Sequence, residues 1–248
     1  MEFNYKDVGK EIGWDFSKMS YALEQDDPYY YYHEVVKHIT RDTVMLDIGC
    51  GSGEKSVKYY ALAKKVVMLD NEPEMLKKVN ENLEKFYNGK MSEKFETVIG
   101  DGDEKLNFPD ESFDLVVSRH CGANMKEVFR VLKKGGVFLS EDIDEYDAYE
   151  IKEYYDRGQG YPVKVLHKEE IFKACLDAGF SKIELLNFSQ REYYPNISEL
   201  KYLLIRTPII GGFDELSDFQ TLQKYCRDFM TEKGILLNRK LYAFKLVK

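Results

Sequence analysis

The residues whose types and spacing could do chemistry begin in VMLDIGCGSGEKS, Val44 to Ser56. Asp47 stands two residues ahead of Gly49, Gly51 and Gly53, with Cys50 inside the glycine set. The spacing G-x-G-x-G is neither the dinucleotide fingerprint G-x-G-x-x-G nor the phosphate loop G-x-x-x-x-G-K-[ST]. Glycines leave bare main chain against which a ligand can lie. A carboxylate ahead of them repels phosphate and attracts a cation, so the pattern suits a ligand carrying an ammonium and a sulfonium. Asp70, followed by Asn71, ends the next apolar run, where a carboxylate can accept both hydroxyl protons of a ribose. Asp101 and Gly102 end the third run, an acid suited to an adenine amine beside a second missing side chain. Each acid alone is a common strand terminator; their order and spacing are what make the set specific.

These residues need elements to hold them. From residue 43 short apolar runs (TVMLDI, KKVVML, FETVI, FDLVVS, GGVFLSEDI) alternate with amphipathic stretches such as EPEMLKKVNENLEKFY and MKEVFRVLKK. Apolar runs joined by helices make a parallel sheet buried on both faces, with right-handed crossovers. Ligands then bind at the carboxyl ends of the strands, where the three acids fall. HKEEIFKACLDAGF predicts a helix stopped by Gly179, followed by a strand at KIELLNF. A long helical stretch from about residue 198 to 232, broken near Pro208, and a closing strand KLYAFKLV complete the pattern. The first 40 residues read as helical, with DPYYYYHEVVKHI covering a sheet edge.

At this point the chain resembles the class I S-adenosylmethionine-dependent methyltransferases, and within them the branch similar to ubiquinone/menaquinone biosynthesis methyltransferases. The resemblance rests on VMLDIGCGSGE, VVMLDNEPEML, GDGDEKLNFPDESFDLVVS and EVFRVLKKGGVFL, and covers about residues 43–140. It implies an α/β, Rossmann-like, doubly wound sheet of seven strands, the last antiparallel, with helices on both faces. It implies one domain over 1–248: an N-terminal helical lid at 1–40, a cofactor-binding half at 43–140, and sheet completion with acceptor-side insertions at 141–248. S-adenosylmethionine is the implied cofactor and S-adenosylhomocysteine the product. Asp47, Gly49, Cys50, Gly51 and Gly53 would line its methionine part, Asp70 and Asn71 its ribose, Asp101 and Gly102 its adenine, and Ser118 the floor beneath its amino acid group.

Methyl transfer from a sulfonium mainly needs alignment and exclusion of water, so no obligatory catalytic signature is expected. His120, two residues past the fourth expected strand, is the candidate general base, its unperturbed pKa near 6.5 being suited to neutral pH. The competing reading is a histidine bonded to loop backbone. Arg119 reads as the partner of a surface carboxylate, and His33, His38 and His167 as surface or packing residues. Tyrosines recur around the expected acceptor pocket, at Tyr29 to Tyr32, Tyr154, Tyr155, Tyr161, Tyr193 and Tyr194. They suit an aromatic acceptor or a sulfonium through cation–π attraction, and equally suit plain amphipathic cover.

Composition limits the partners. The 248 residues carry 36 basic and 44 acidic side chains, a net charge of −8, which opposes binding to phosphate backbones. SRHCGAN stands where amino-directed nucleic-acid methyltransferases carry an Asn/Asp-Pro-Pro-aromatic motif, which lowers that reading further. The four cysteines show no metal-ligand or disulfide spacing, and no metal is expected. A mean hydropathy of −0.49 and an opening MEFNYKDVGK without an apolar core predict a cytoplasmic protein with no membrane contact. The expected function is methyl transfer to a small-molecule acceptor. An RNA base methyltransferase and a non-catalytic adenosylmethionine-binding protein are the alternatives, and the oligomeric state stays open.

Overall fold

The computed structural model describes residues 16, 18–25, 29–88, 90–91 and 93–248. Four parallel strands carry the first half: β2 (Val44–Ile48), β3 (Lys65–Asp70), β4 (Phe95–Ile99) and β5 (Phe113–Arg119). β6 (Leu132–Ile143) joins β5 in parallel; β9 (Gly234–Val247) then runs antiparallel between β6 and β7 (Lys182–Tyr194). With β1 (Ala22–Gln25) outside β7, the sheet order is β1-β7-β9-β6-β5-β2-β3-β4, and the two-residue β8 (Met230–Thr231) pairs with β9. After β2 the chain winds outward through β3 and β4, then returns to lay β5 on the other side of β2. This reversal opens a crevice at the carboxyl ends of β2 and β5.

The pleat divides the core. Leu46, Ile48, Val67, Leu69 and Val116 point to one face, against the helix Met125–Val131 and Phe180. Met45, Val66, Met68 and Val117 point to the other, against Val57 and against Val79 and Leu83 of the helix Pro73–Tyr87. Successive strand residues alternate sides, so runs such as VMLDI are apolar throughout because both faces are covered. A third cluster, including Ile151, Tyr194, Leu203, Ile209 and Tyr225, packs the later insertions over the ends of β7 and β9.

The seven expected strands are present with the expected antiparallel one, and β1 and β8 are additions. The helix His167–Ala178 is stopped by Gly179 at φ +104, and the long helical stretch resolves into Ile197–Arg206, a 3-10 turn at Pro208–Ile210 and Phe219–Asp228. The N-terminal expectation needs correcting. Residues 22–25 form a strand, and the described helix there spans only Tyr31–Val36. The outer edge of β7 supplies the reason: Ala22 to Gln25 pair with Tyr193 to Gln190, and satisfying an open strand edge outweighs local helical preference. Residues 1–15, 17 and 26–28 of the expected lid lie outside the described residues.

Candidate active site

The loop after β2 turns under Asp47 and exposes main chain. Gly49, Gly51 and Gly53 all have positive φ, at +66, +55 and +64. At Gly49 no other residue fits, because a Cβ there would fall 2.3 Å from the Cys121 sulfur. The Gly51 amide donates to Asp70 Oδ2 at 2.8 Å and the Glu72 amide to Oδ1 at 2.9 Å, so the carboxylate at the end of β3 holds both loops. Each oxygen keeps a lone pair for a further donor. Burial raises the Asp70 pKa, against those backbone bonds.

Asp47 is more enclosed. Burial, and then the nearby Asp70 charge, push its carboxyl up to about 8, although Ser56 and Tyr60 donate hydrogen bonds to it. Without a cation beside it the group is therefore largely protonated at neutral pH. A bound ammonium or sulfonium would supply the missing charge.

Asp47, the loop from Gly49 to Gly53, Asp70 and Asn71 line one side of a cavity of about 730 Å³. Arg119 and His120, from the end of β5, line the same cavity. Asp101, Gly102 and Ser118 are not among its lining residues, and their visible contacts fasten the turns after β4 and β5. Asp101 is exposed, and its Oδ1 accepts the Asp103 amide at 3.0 Å. Gly102 lets that turn pass, since a Cβ there would fall 2.5 Å from the Gly122 carbonyl oxygen. The buried Ser118 hydroxyl donates to the Cys121 carbonyl at 2.9 Å.

His120 sits in the left-handed region at φ 55, and its amide donates to the Glu141 carbonyl at 2.9 Å. That bond belongs to the main chain, while the ring faces the cavity with 34% of the side chain open. Its Nδ1 lies 3.9 Å from Asp142 Oδ1 and its Nε2 3.9 Å from Glu141 Oε1. Burial, reinforced by Arg119, keeps its pKa below the usual value, so the ring is neutral and able to take a proton. Arg119 pairs with Glu141 at 2.7 Å and lies over the rings of Tyr31 and Tyr32 at 6.0 Å. Its partner is a buried carboxylate, where the sequence suggested a surface one.

Sequence reasoning missed the far end of the cavity. Arg239 of β9 donates to Asp147 at 2.9 Å and to Glu192 at 3.2 Å, and all three face the cavity. Tyr194 donates to Glu192 at 2.6 Å. Burial works against the Arg239 charge, and Asp147 and Glu192 overrule it. No motif marks these residues, because three separated segments supply them. Of the tyrosine clusters, Tyr31 and Tyr32 line the cavity, as does Tyr21. Tyr154 instead bonds Asp228 and Tyr155 the Asp218 carbonyl, which is packing work.

Residues 46–140 match the family model described as "Methyltransferase domain". Over 225 residues the chain is 28% identical to a sterol 24-C-methyltransferase of Aspergillus fumigatus, covering 78% of this chain and 57% of that protein. It is 28% identical over 141 residues to a malonyl-[acyl-carrier protein] O-methyltransferase of Yersinia pestis, covering 53% of this chain and 49% of that one. The chain thus spans about half the length of the curated relatives it matches. Among solved structures, the YcgJ protein of Bacillus subtilis superposes with TM-score 0.61 at 19% identity, covering 88% of this chain and 97% of that one. A putative methyltransferase of Bacillus halodurans gives 0.57 at 20% identity, covering 88% and 96%. Strand order, matched domain and site geometry agree: residues 46–140 are similar to a methyltransferase domain, and the fold is that of the class I S-adenosylmethionine-dependent type.

Proposed function

We propose that the protein transfers a methyl group from S-adenosylmethionine to a small-molecule acceptor. The observation that carries this reading is the pairing of Asp70 with the Gly51 amide at the switch point of the sheet. It leaves carboxylate lone pairs and bare main chain facing one cavity. A cis-diol suits the former, and a flat, positively charged thioether lying on backbone suits the latter.

When bound, the cofactor supplies a methyl group activated by a positive sulfur. The protein's own residues then do four things. Asp70 holds a ribose at the end of β3; Asp47 and the glycine loop receive the amino-acid part. Arg119, locked to Glu141 and lying over Tyr31 and Tyr32, walls the cavity beside His120. His120, neutral and open to the cavity, takes the proton that the acceptor atom gives up as it gains the methyl carbon, and Asp142 faces the ring nitrogen that stays protonated.

The acceptors named for the relatives, a sterol and a malonyl-acyl-carrier protein, support a non-nucleic substrate, as does the net charge of −8. The wording of the glycine and β6 motifs supports a place near the ubiquinone/menaquinone branch. Calorimetric titration tests the reading: S-adenosylhomocysteine is expected to bind and NADH not to bind. The opposite pattern would return the loop to dinucleotide chemistry.

A further inference from the structure

The wall between two cavities holds a lysine whose place packing does not explain. A second cavity of about 330 Å³ adjoins the first, and Asp142, Ile143 and Gln159 face both. Lys152, on the helix Tyr149–Tyr155, lines it with 2% of its surface open. Among the described residues, none gives its ammonium a hydrogen bond or an ion pair. The stem is clamped: Gly158, at φ +147, passes so close that a Cβ there would meet Lys152 Cγ at 2.7 Å. Burial lowers its pKa, while Asp147 and Asp144 favour the charged form. The stem is enclosed while the ammonium lines the cavity without a hydrogen-bonding partner, and an apolar side chain of the same length would avoid the cost of drawing a charge so far out of water. Packing alone gives no reason for a lysine here.

The same wall has acceptors in excess. The segment from Glu141 to Asp147 contains five acids. Arg119 answers Glu141, Lys168 answers Asp144, and Arg239 answers Asp147. Glu145 is answered in part: Oε1 accepts the Lys168 amide at 3.0 Å, while Oε2 is buried without a hydrogen bond, 3.7 Å from Lys168 Nζ. Asp142 Oδ1 accepts the Ile143 amide at 2.7 Å, and among the described residues His120, at 3.9 Å, is its potential cation. A diamine would leave Lys152 unanswered. A diacid would leave Asp142 and Glu145 so. A ligand with one group of each sign answers all three.

We propose that the methyl acceptor is a zwitterion of the amino-acid class, its carboxylate seated on Lys152 and its ammonium held by Asp142 and Glu145. The inference rests on the methyltransferase reading and deepens it. Because Asp142 faces both cavities, an ammonium there stands beside His120 at the border of the cofactor cavity.

The test uses the full chain loaded with S-adenosylhomocysteine and titrated calorimetrically with each common amino acid, then with the decarboxylated amine and the deaminated acid of each binder. At least one amino acid is expected to bind, with both truncated analogues at least tenfold weaker. Lys152→Met should weaken the amino acid at least tenfold, spare the amine analogue, and raise the melting temperature of the ligand-free protein. Glu145→Gln, a milder change, should weaken the amino acid and spare the deaminated acid. The proposal is overturned if no amino acid binds, if an amine binds as tightly as its parent, or if Lys152→Met leaves the parent's affinity intact. Binding of S-adenosylhomocysteine is read first on the same sample. Its failure would sink the methyltransferase reading, whereas its success followed by an empty amino-acid series sinks this inference alone.

Discussion

The two ends of the cavity are built on different plans. At the glycine-loop end, Asp47, the loop itself, Asp70 and Asn71 come from 25 consecutive residues and two adjacent strands, and the Asp70 bonds run from side chain to backbone. At the far end, Asp147, Glu192 and Arg239 come from three distant segments, and their bonds join charged side chain to charged side chain. A site held by main chain can be hard-wired into a strand-turn-helix unit. A wall assembled from insertions must have charges that neutralise one another. Breaking each end should therefore fail differently: stability suffers at the far end and affinity at the glycine-loop end.

The largest effect is expected from Arg239→Met. It strands the buried carboxylates of Asp147 and Glu192, and removing one partner of such a network costs about 3–5 kcal/mol. For a chain of this size that lowers the melting temperature by roughly 6–20 °C. S-adenosylhomocysteine affinity of the folded fraction should stay within about twofold, since the glycine loop belongs to a separate network. Differential scanning calorimetry beside isothermal titration separates the two readouts. A tenfold loss of affinity with an unchanged melting temperature would erase the proposed division between the ends.

Asp70→Asn is the converse. The amide cannot accept from both the Gly51 and Glu72 main chains while also receiving a diol, so one donor is left facing its NH₂ group. Loss of a charged hydrogen bond of about 1.5–3 kcal/mol predicts S-adenosylhomocysteine binding weaker by roughly 10- to 150-fold. The melting temperature should change less than in Arg239→Met. Equal affinity in the two proteins would show that the ribose is not held there.

How much of this could be read in the sequence follows from the same contrast. The parallel half of the sheet was legible because VMLDI and FDLVVS are buried on both faces and their turns carry glycines that nothing else can replace. Asp47 and Asp70 were legible because each stands at or next to the carboxyl end of a strand. Asp101 follows a strand by two residues, but its carboxylate closes a turn onto Asp103, which is the ordinary use of such an acid and leaves no different mark in the sequence. β1 was hidden, since four residues gain their conformation from the edge of β7, more than 160 positions away. Arg239, Glu192 and Lys152 were hidden for the same reason: burial and pairing at long range decide their roles, and neighbouring residues say nothing of either.

The smallest effect, and the one that sharpens the comparison most, concerns Asp47. Its folded pKa stands at about 8 against an ordinary 3.8. Between those values the folded protein holds a proton that the unfolded chain has released, so the empty protein loses stability as pH rises across that window. Asp47→Asn removes the penalty. The ligand-free variant should gain about 1 kcal/mol, or roughly 2–4 °C, at pH 8, and less toward pH 4. A cationic ligand reverses the preference, because it favours the ionised carboxylate. Binding should then release up to one proton below pH 8, and affinity should rise with pH until it levels near that value. Titration in two buffers of different ionisation enthalpy counts the proton directly. If Asp47→Asn destabilises the empty protein, or if proton release is the same with and without the carboxylate, Asp47 is a structural acid and the cofactor's positive charge is answered elsewhere.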